Sequence, residues 1–264
     1  MDCYTCESDV GLERTRFFPG QMISPDDLTQ DQIYFNEKQR RHNRLLHGWG
    51  VVCGAQVRAL GNCKVSVEPG YILGPQGHEI VIDHEVSVDL CKLQPGGGAS
   101  PCADPPDPWC SDIPATRQPN QPLYIAVRYA ECETRPVRVA AGGCGCDNGD
   151  CQYSRIRDGY TIGVLTELPR SYQSSEKQQR DAGAMLRTSV TAGEMTDFPN
   201  ILAQRLQSPC PECPEDPWVI LAEVFMQDKD NMKVDCFGYR RYVLSLGRMT
   251  ELLYQLLRAH TSTA

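Results

Sequence analysis

Hydrophobic and polar positions divide the chain into a polar helical stretch followed by runs of alternating character. Over residues 24–47 the apolar side chains are few, Leu28, Ile33, Tyr34, Phe35, Leu45 and Leu46, and the middle reads Asn36-Glu37-Lys38-Gln39-Arg40-Arg41-His42-Asn43-Arg44. The flanks still specify a helix. Ser24 is a good N-cap, Pro25 suits the first helical position, and Asp27 sits where a capping-box acid satisfies free N–H groups. Arg41, His42 and Arg44 occupy the closing turns, and Gly48 predicts a left-handed stop. Helix propensity alone leaves so polar a helix marginal, so it either lies solvated over the chain's own sheet or packs against partners that satisfy its polar groups.

After Gly50 the period shortens to two. Residues 51–57, 64–67, 71–73, 78–82 and 86–90 read as strands, and Gly61-Asn62, Glu68-Pro69-Gly70 and Pro75-Gln76-Gly77 read as the turns of a small antiparallel unit. Residues 1–91 are therefore expected to form an N-terminal helix plus a small β unit. Residues 92–121 are rich in Pro, Gly and Cys and read as a loop or linker. Alternation resumes at 122–131, 160–165 and 218–225, giving a second β unit over 122–242 with a helical insertion at 174–206. Leu246, Met249, Leu252, Leu253, Leu256 and Leu257 recur at helical spacing, so 243–264 is expected to be an amphipathic helix packing on the chain's own sheet or docking on a neighbour. The expected fold is mainly β with peripheral helices, an α+β arrangement.

Composition narrows the class. A hydrophobic content of 41% over 264 residues supports a real core, and the 22 Gly and 19 Pro favour strands and loops over long helices. The formal charge of −8 argues against nucleic acid as a partner, because phosphate binding relies on Lys and Arg. No apolar run is long enough to span a bilayer, and the first residues lack a basic segment followed by an apolar one, so assembly in the cytoplasm is expected.

Fourteen cysteines then require an explanation. Cys3-x-x-Cys6, Cys144-x-Cys146-x4-Cys151 and Cys210-Pro-Glu-Cys213 each offer thiolates from a tight turn. On spacing, Cys144, Cys146, Cys210 and Cys213 are the best set for a structural zinc, with Cys151, Cys102, Cys110 and Cys132 as substitutes. Reduced thiols or disulfides are the competing reading, since no pair has its partner at standard finger spacing. Cys53, in the apolar run Val51-Val52-Cys53, reads as a buried small hydrophobe. No phosphate loop, zincin helix or nucleophile elbow is present, and no catalytic residue is assigned. His78-Glu79 and Asp83-His84-Glu85 read as a solvent-facing hairpin edge, so the chain is not expected to be an enzyme.

The run FFPGQMISPDDLTQDQIYFNEKQRRHNRLLHGWGVVCGAQV followed by VSVEPGYILGPQGHEIVI, together with YIAVRYAECETRPVRV, CGCDNGDCQYSRIRDGYTIGVLTELP, WVILAEV and GYRRYV, resembles proteins encoded with bacterial contractile, phage-tail-like injection systems. The resemblance implies a structural subunit, associated with the baseplate or another tail-end region. Its partners would be other subunits of a large particle, in multiple copies, assembled in the cytoplasm and either released or anchored at a membrane. In that role Arg40, Arg41 and Arg44 would bond to carboxylates of a neighbour, and Phe17, Phe18 and Trp49 would be apolar anchors. Burial in the chain's own core is the competing role for those aromatics. The alternative function is a tail-fibre-like module that binds receptors or carbohydrates, or its attachment adaptor, presenting the 92–121 loop.

Overall fold

A computed structural model describes residues 11–91, 121–138, 151–172, 210, 212–227, 231–245, 247, 249–251 and 254–255. Helix α1 (Pro25–His42) begins at the predicted cap: the Ser24 amide donates to Asp27 Oδ2 at 2.8 Å and the Asp27 amide donates back to Ser24 Oγ at 3.2 Å. Its end differs from expectation. The last turn, Asn43–His47, is π-helical, and Gly48 follows with φ +75° and ψ −155°, a positive φ without the left-handed helical ψ. The wider turn rotates Asn43 inward, and it is buried.

Six short strands follow: β1 (Gly50–Gly54), β2 (Val57–Gly61), β3 (Lys64–Val67), β4 (Gly70–Leu73), β5 (Glu79–Ile82) and β6 (Val86–Asp89). They form two antiparallel three-stranded sheets, ordered β1-β4-β5 and β2-β3-β6. The run 51–57, expected as one strand, is two, because Ala55 turns the chain with φ +52°. Gly54 and Gly70 permit that corner: a Cβ on Gly54 would lie 2.2 Å from the Pro69 carbonyl oxygen, and one on Gly70 would lie 2.3 Å from the Ala55 nitrogen. A register shift between Val51 and Cys53 turns the Cys53 side chain outward, so it is exposed rather than buried.

The second β unit contains β7 (Leu123–Arg138), β8 (Cys151–Leu165), β9 (Val219–Met226) and β10 (Met232–Asp235), in the order β10-β9-β7-β8. Strands β7 and β8 extend well past the expected 122–131 and 160–165, because their outer halves are too polar to register as buried alternation. Strand β10 was not anticipated at all. It is short, and none of its residues is fully buried. One apolar cluster joins Val51, Val65, Ile72 and Ile80 of the first unit to Ile125, Ile162, Val219 and Leu221 of the second. The two units thus bury against each other.

The helical insertion at 174–206 and the loop at 92–121 lie outside the described residues, apart from Gln121. Residues 247, 249–251 and 254–255 are helical as expected, but all are exposed, including Met249 and Tyr254. Leu246, Leu252, Leu253, Leu256 and Leu257, which with Met249 define its apolar stripe, lie outside the described residues.

Among the cysteines, Cys63 and Cys91 form a disulfide, and Cys132 is also disulfide-bonded, which removes it as a substitute metal ligand. Cys63 follows Asn62 at the centre of the β2–β3 turn, with φ +60° and +50° respectively, the conformation of a tight hairpin turn that usually takes glycine. The bond closes 28 residues from that turn to the end of β6. The loop-entropy relation assigns such a closure about 3–4 kcal/mol. Replacing both Cys63 and Cys91 by Ser is expected to lower the urea unfolding free energy by about that amount.

Candidate functional site

A cleft of about 530 Å³ lies between α1, the β4–β5 turn and the middle of the β7–β8 hairpin. On α1 it is lined by Thr29, Gln32, Ile33, Asn36 and Arg40, and Asn43 of the π turn continues the same face at three- and four-residue steps. The opposite side of the helix carries the preceding arm. The Thr15 amide donates to Asp31 Oδ1 at 3.1 Å, Thr15 Oγ1 donates to the Asp27 carbonyl at 2.8 Å, and Gln30 Nε2 donates to the Glu13 carbonyl at 3.0 Å. The helix therefore turns a mainly polar face, with Ile33 as its apolar member, toward its own body.

One close contact seats α1 on the sheet. Asn43 Nδ2 donates to the Gly77 carbonyl at 3.0 Å in a buried position, and Gln39 Nε2 donates to Asn43 Oδ1 at 3.2 Å. Gly77, at φ +93°, has no room for a side chain, since a Cβ would lie 2.1 Å from the Arg40 carbonyl oxygen. Both the turn and the approach of the helix require glycine.

Within the cleft, Arg40 pairs with Glu37 at 2.8 Å and reaches Glu131 at 3.7 Å. The Tyr129 hydroxyl lies 2.6 Å from Asp158 Oδ1 and 3.0 Å from Glu131 Oε1, sharing its proton between two carboxylates. Burial first, then the bonds to those carboxylates, pushes its pKa far above the ordinary tyrosine range, so it stays protonated. His78 stacks on Tyr129 with ring centroids 4.3 Å apart. It is half-buried, a correction to the solvent-edge reading of His78-Glu79, whereas His84 remains exposed beside Asp83 at 2.5 Å. Burial, followed by the nearby Arg40 cation, lowers the His78 pKa, against the opposing pull of Glu131, Glu37 and Asp158.

The expected site residues are thus dispersed. Arg40 is engaged within its own chain, Arg41 is exposed, and Arg44 is partly buried. Phe17 and Phe18 are exposed, at 49% and 60%. Trp49 is partly buried, edge-on to Tyr172 at 5.1 Å with the Arg241 guanidinium 3.9 Å above its ring. Models of known protein families and curated protein sequences give no match to this chain. Of the proposed zinc ligands, Cys210 and Cys213 are exposed free thiols, and Cys144 and Cys146 lie outside the described residues. Among the described residues no group of three His, Cys, Asp or Glu side chains could hold a metal, and no helix is long and apolar enough to cross a membrane.

Sequence reasoning missed Tyr129, Glu131 and Asp158. In the sequence Tyr129 and Glu131 are strand residues, and the signal they carry is an aromatic and a carboxylate two positions apart on one face of that strand.

Asn43→Ala is expected to leave the Gly77 carbonyl unsatisfied and cost about 1–3 kcal/mol. Hydrogen exchange should accelerate across α1 while the sheets keep their protection. His78 supplies a pH dependence. Its folded pKa is lower than its unfolded value, so the unfolded chain binds the proton first and stability falls as pH drops below about 6.5. Thermal melts of His78→Phe, which keeps the ring stack, should lose less stability between pH 7.5 and 5.5 than the unsubstituted protein.

Proposed function

We propose that this chain is a non-enzymatic structural subunit of a contractile, phage-tail-like injection particle, placed at or near its baseplate and acting through subunit contacts. The observation that carries this reading is α1 itself. None of its 18 residues is buried, yet away from the cleft it bears Leu28 and Phe35, each more than half exposed, and the flanking arm and π turn add Phe18, Met22, Ile23 and Leu46. Scattered apolar residues on a surface are ordinary, but a run of them along one capped and anchored helix is the mark of an interaction face. Leu28 and Phe35, seven residues apart, fall on nearly the same line of the helix. This apolar edge, rather than the Arg40 cation already engaged in the cleft, is where a neighbour would gain most.

Leu28→Asp combined with Phe35→Asp tests the reading in cells producing the sheath, tube and spike proteins beside this chain. Particles should assemble without the altered subunit or fail at the tail end, while the isolated variant keeps its circular dichroism spectrum and melting temperature. Normal incorporation of the doubly substituted chain would overturn the assignment of α1 as the contact.

A further inference from the structure

Strands β7 and β8 pair along their whole length, but β9 covers β7 only from Leu123 to Val127. Beyond that point the hairpin is a two-stranded ribbon, unpaired with any other strand among the described residues. A ribbon of that kind is marginal in water unless something covers it. Its β8 side chains are exposed continuously from Gln152 to Asp158.

Alternation along the strands then sorts charge by face. Directly opposed residues of an antiparallel pair point the same way, and neighbours in sequence point opposite ways. Arg157 opposes Cys132, Arg155 opposes Thr134 and Tyr153 opposes Pro136, which gives one face carrying Tyr153, Arg155 and Arg157. Asp158 opposes Glu131 and Ile156 opposes Glu133, which gives the other face three carboxylates around Ile156. Glu131, Ile156 and Asp158 of that second face form one wall of the cleft beneath α1, where Glu79 adds negative charge and Arg40, paired with Glu37 and near Glu131, offsets part of it. In a chain of net charge −8, Arg155 and Arg157 form no ion pair among the described residues.

We infer that the β7–β8 ribbon is a two-faced docking element through which copies of this chain associate head to tail, the Tyr153/Arg155/Arg157 face of one copy seating on the Glu131/Glu133/Asp158 face and cleft of the next. Charge complementarity selects a second copy. The two faces are back to back on one ribbon, so a molecule cannot satisfy them within itself. A symmetric dimer through either face would set like charges against each other. A contact between different surfaces does not close at two subunits and generates a ring or a filament. This inference is independent of the injection-particle reading, since it concerns another surface and is tested on the isolated full-length chain.

The test is sedimentation velocity on three full-length proteins: the unsubstituted chain, Arg155→Glu/Arg157→Glu, and Glu133→Lys/Asp158→Lys. The unsubstituted chain should form species larger than a dimer at 50 mM salt, with an apparent dissociation constant rising about tenfold or more by 500 mM as the charges are screened. Each variant alone should remain monomeric with an unchanged circular dichroism spectrum. Mixed one to one, they should associate again, because the acidic faces of one variant meet the basic faces of the other. The Arg155/Arg157 variant, altered only at exposed positions, keeps the test valid should the Asp158 substitution disturb Tyr129. A monomeric unsubstituted chain at about 100 µM, where even weak specific contacts are populated, would overturn the inference. So would a complex that stops at a symmetric dimer, unimpaired assembly of the Arg155/Arg157 variant, or two folded variants that fail to pair.

Discussion

The buried guanidinium of Arg240 is the interaction on which the arrangement of the two β units turns. It donates to the carbonyl oxygens of Gly54 and Ala55 at the corner between β1 and β2, and to that of Leu221 in β9. Those three carbonyls belong to different units, and the Ala55 corner leaves its oxygen pointing away from any strand partner. A charged side chain that is 6% exposed is tolerated only when it is richly hydrogen-bonded, and the planar fork of arginine spans several acceptors at once. The same segment continues the clamp through its backbone. The Val51 amide donates to the Arg241 carbonyl at 2.8 Å and the Val243 amide donates to the Val51 carbonyl at 2.9 Å, so residues 241–243 lie along β1. Gly50 has no room for a side chain against Arg241, with a Cβ lying 2.7 Å from its carbonyl oxygen.

With the units fixed, the position of α1 follows from a few contacts. The helix enters the sheet through Gly48, Trp49 and Gly50, and Arg241 stacks on the Trp49 ring, so the clamp near the chain's end also holds the helix exit. From there only the Asn43–Gly77 bond and the close passage of Arg40 over the β4–β5 turn determine how far α1 stands from the hairpin. The remaining gap is the cleft, bordered by the Arg40, Glu131, Tyr129 and Asp158 network rather than closed by apolar packing. Such a network is highly directional, so it fixes the angle of the helix more sharply than burial of comparable area would.

Local signals were legible in the sequence and long-range ones were not. Ser24, Pro25 and Asp27 announce the start of α1 because a cap acts within four residues, and the alternation at 64–67 marked β3 because both neighbours supply a regular ladder. The run at 51–57 misled because a corner at Ala55 depends on Arg240, nearly two hundred residues away. Cys53 misled for a related reason: one residue of register shift reverses the face of a side chain, and no composition signal reports it. The cleft was invisible for the same cause. Glu37, His78, Tyr129 and Asp158 become neighbours only once the hairpin and α1 are placed, and each alone reads as an ordinary surface residue.

The energetics of α1 explain why so exposed a helix persists in the free chain. Leaving Leu28 and Phe35 half exposed or more forgoes part of the ~1.5–3 kcal/mol that full burial of each side chain would contribute. Against this the Ser24 cap contributes about 1 kcal/mol. The Thr15 and Gln30 bonds to the arm add roughly 0.5–1.5 kcal/mol each. These terms are local and polar, and they act at the N-terminal half of the helix, while Asn43 fixes the other end. The helix is therefore stabilised without using its apolar side chains. Had those residues packed on the sheet, the fold would have been more stable by itself, and the surface would have been lost. An apolar edge held on a preorganised helix gives a binding partner the burial that folding left unused, with little further ordering of the backbone required.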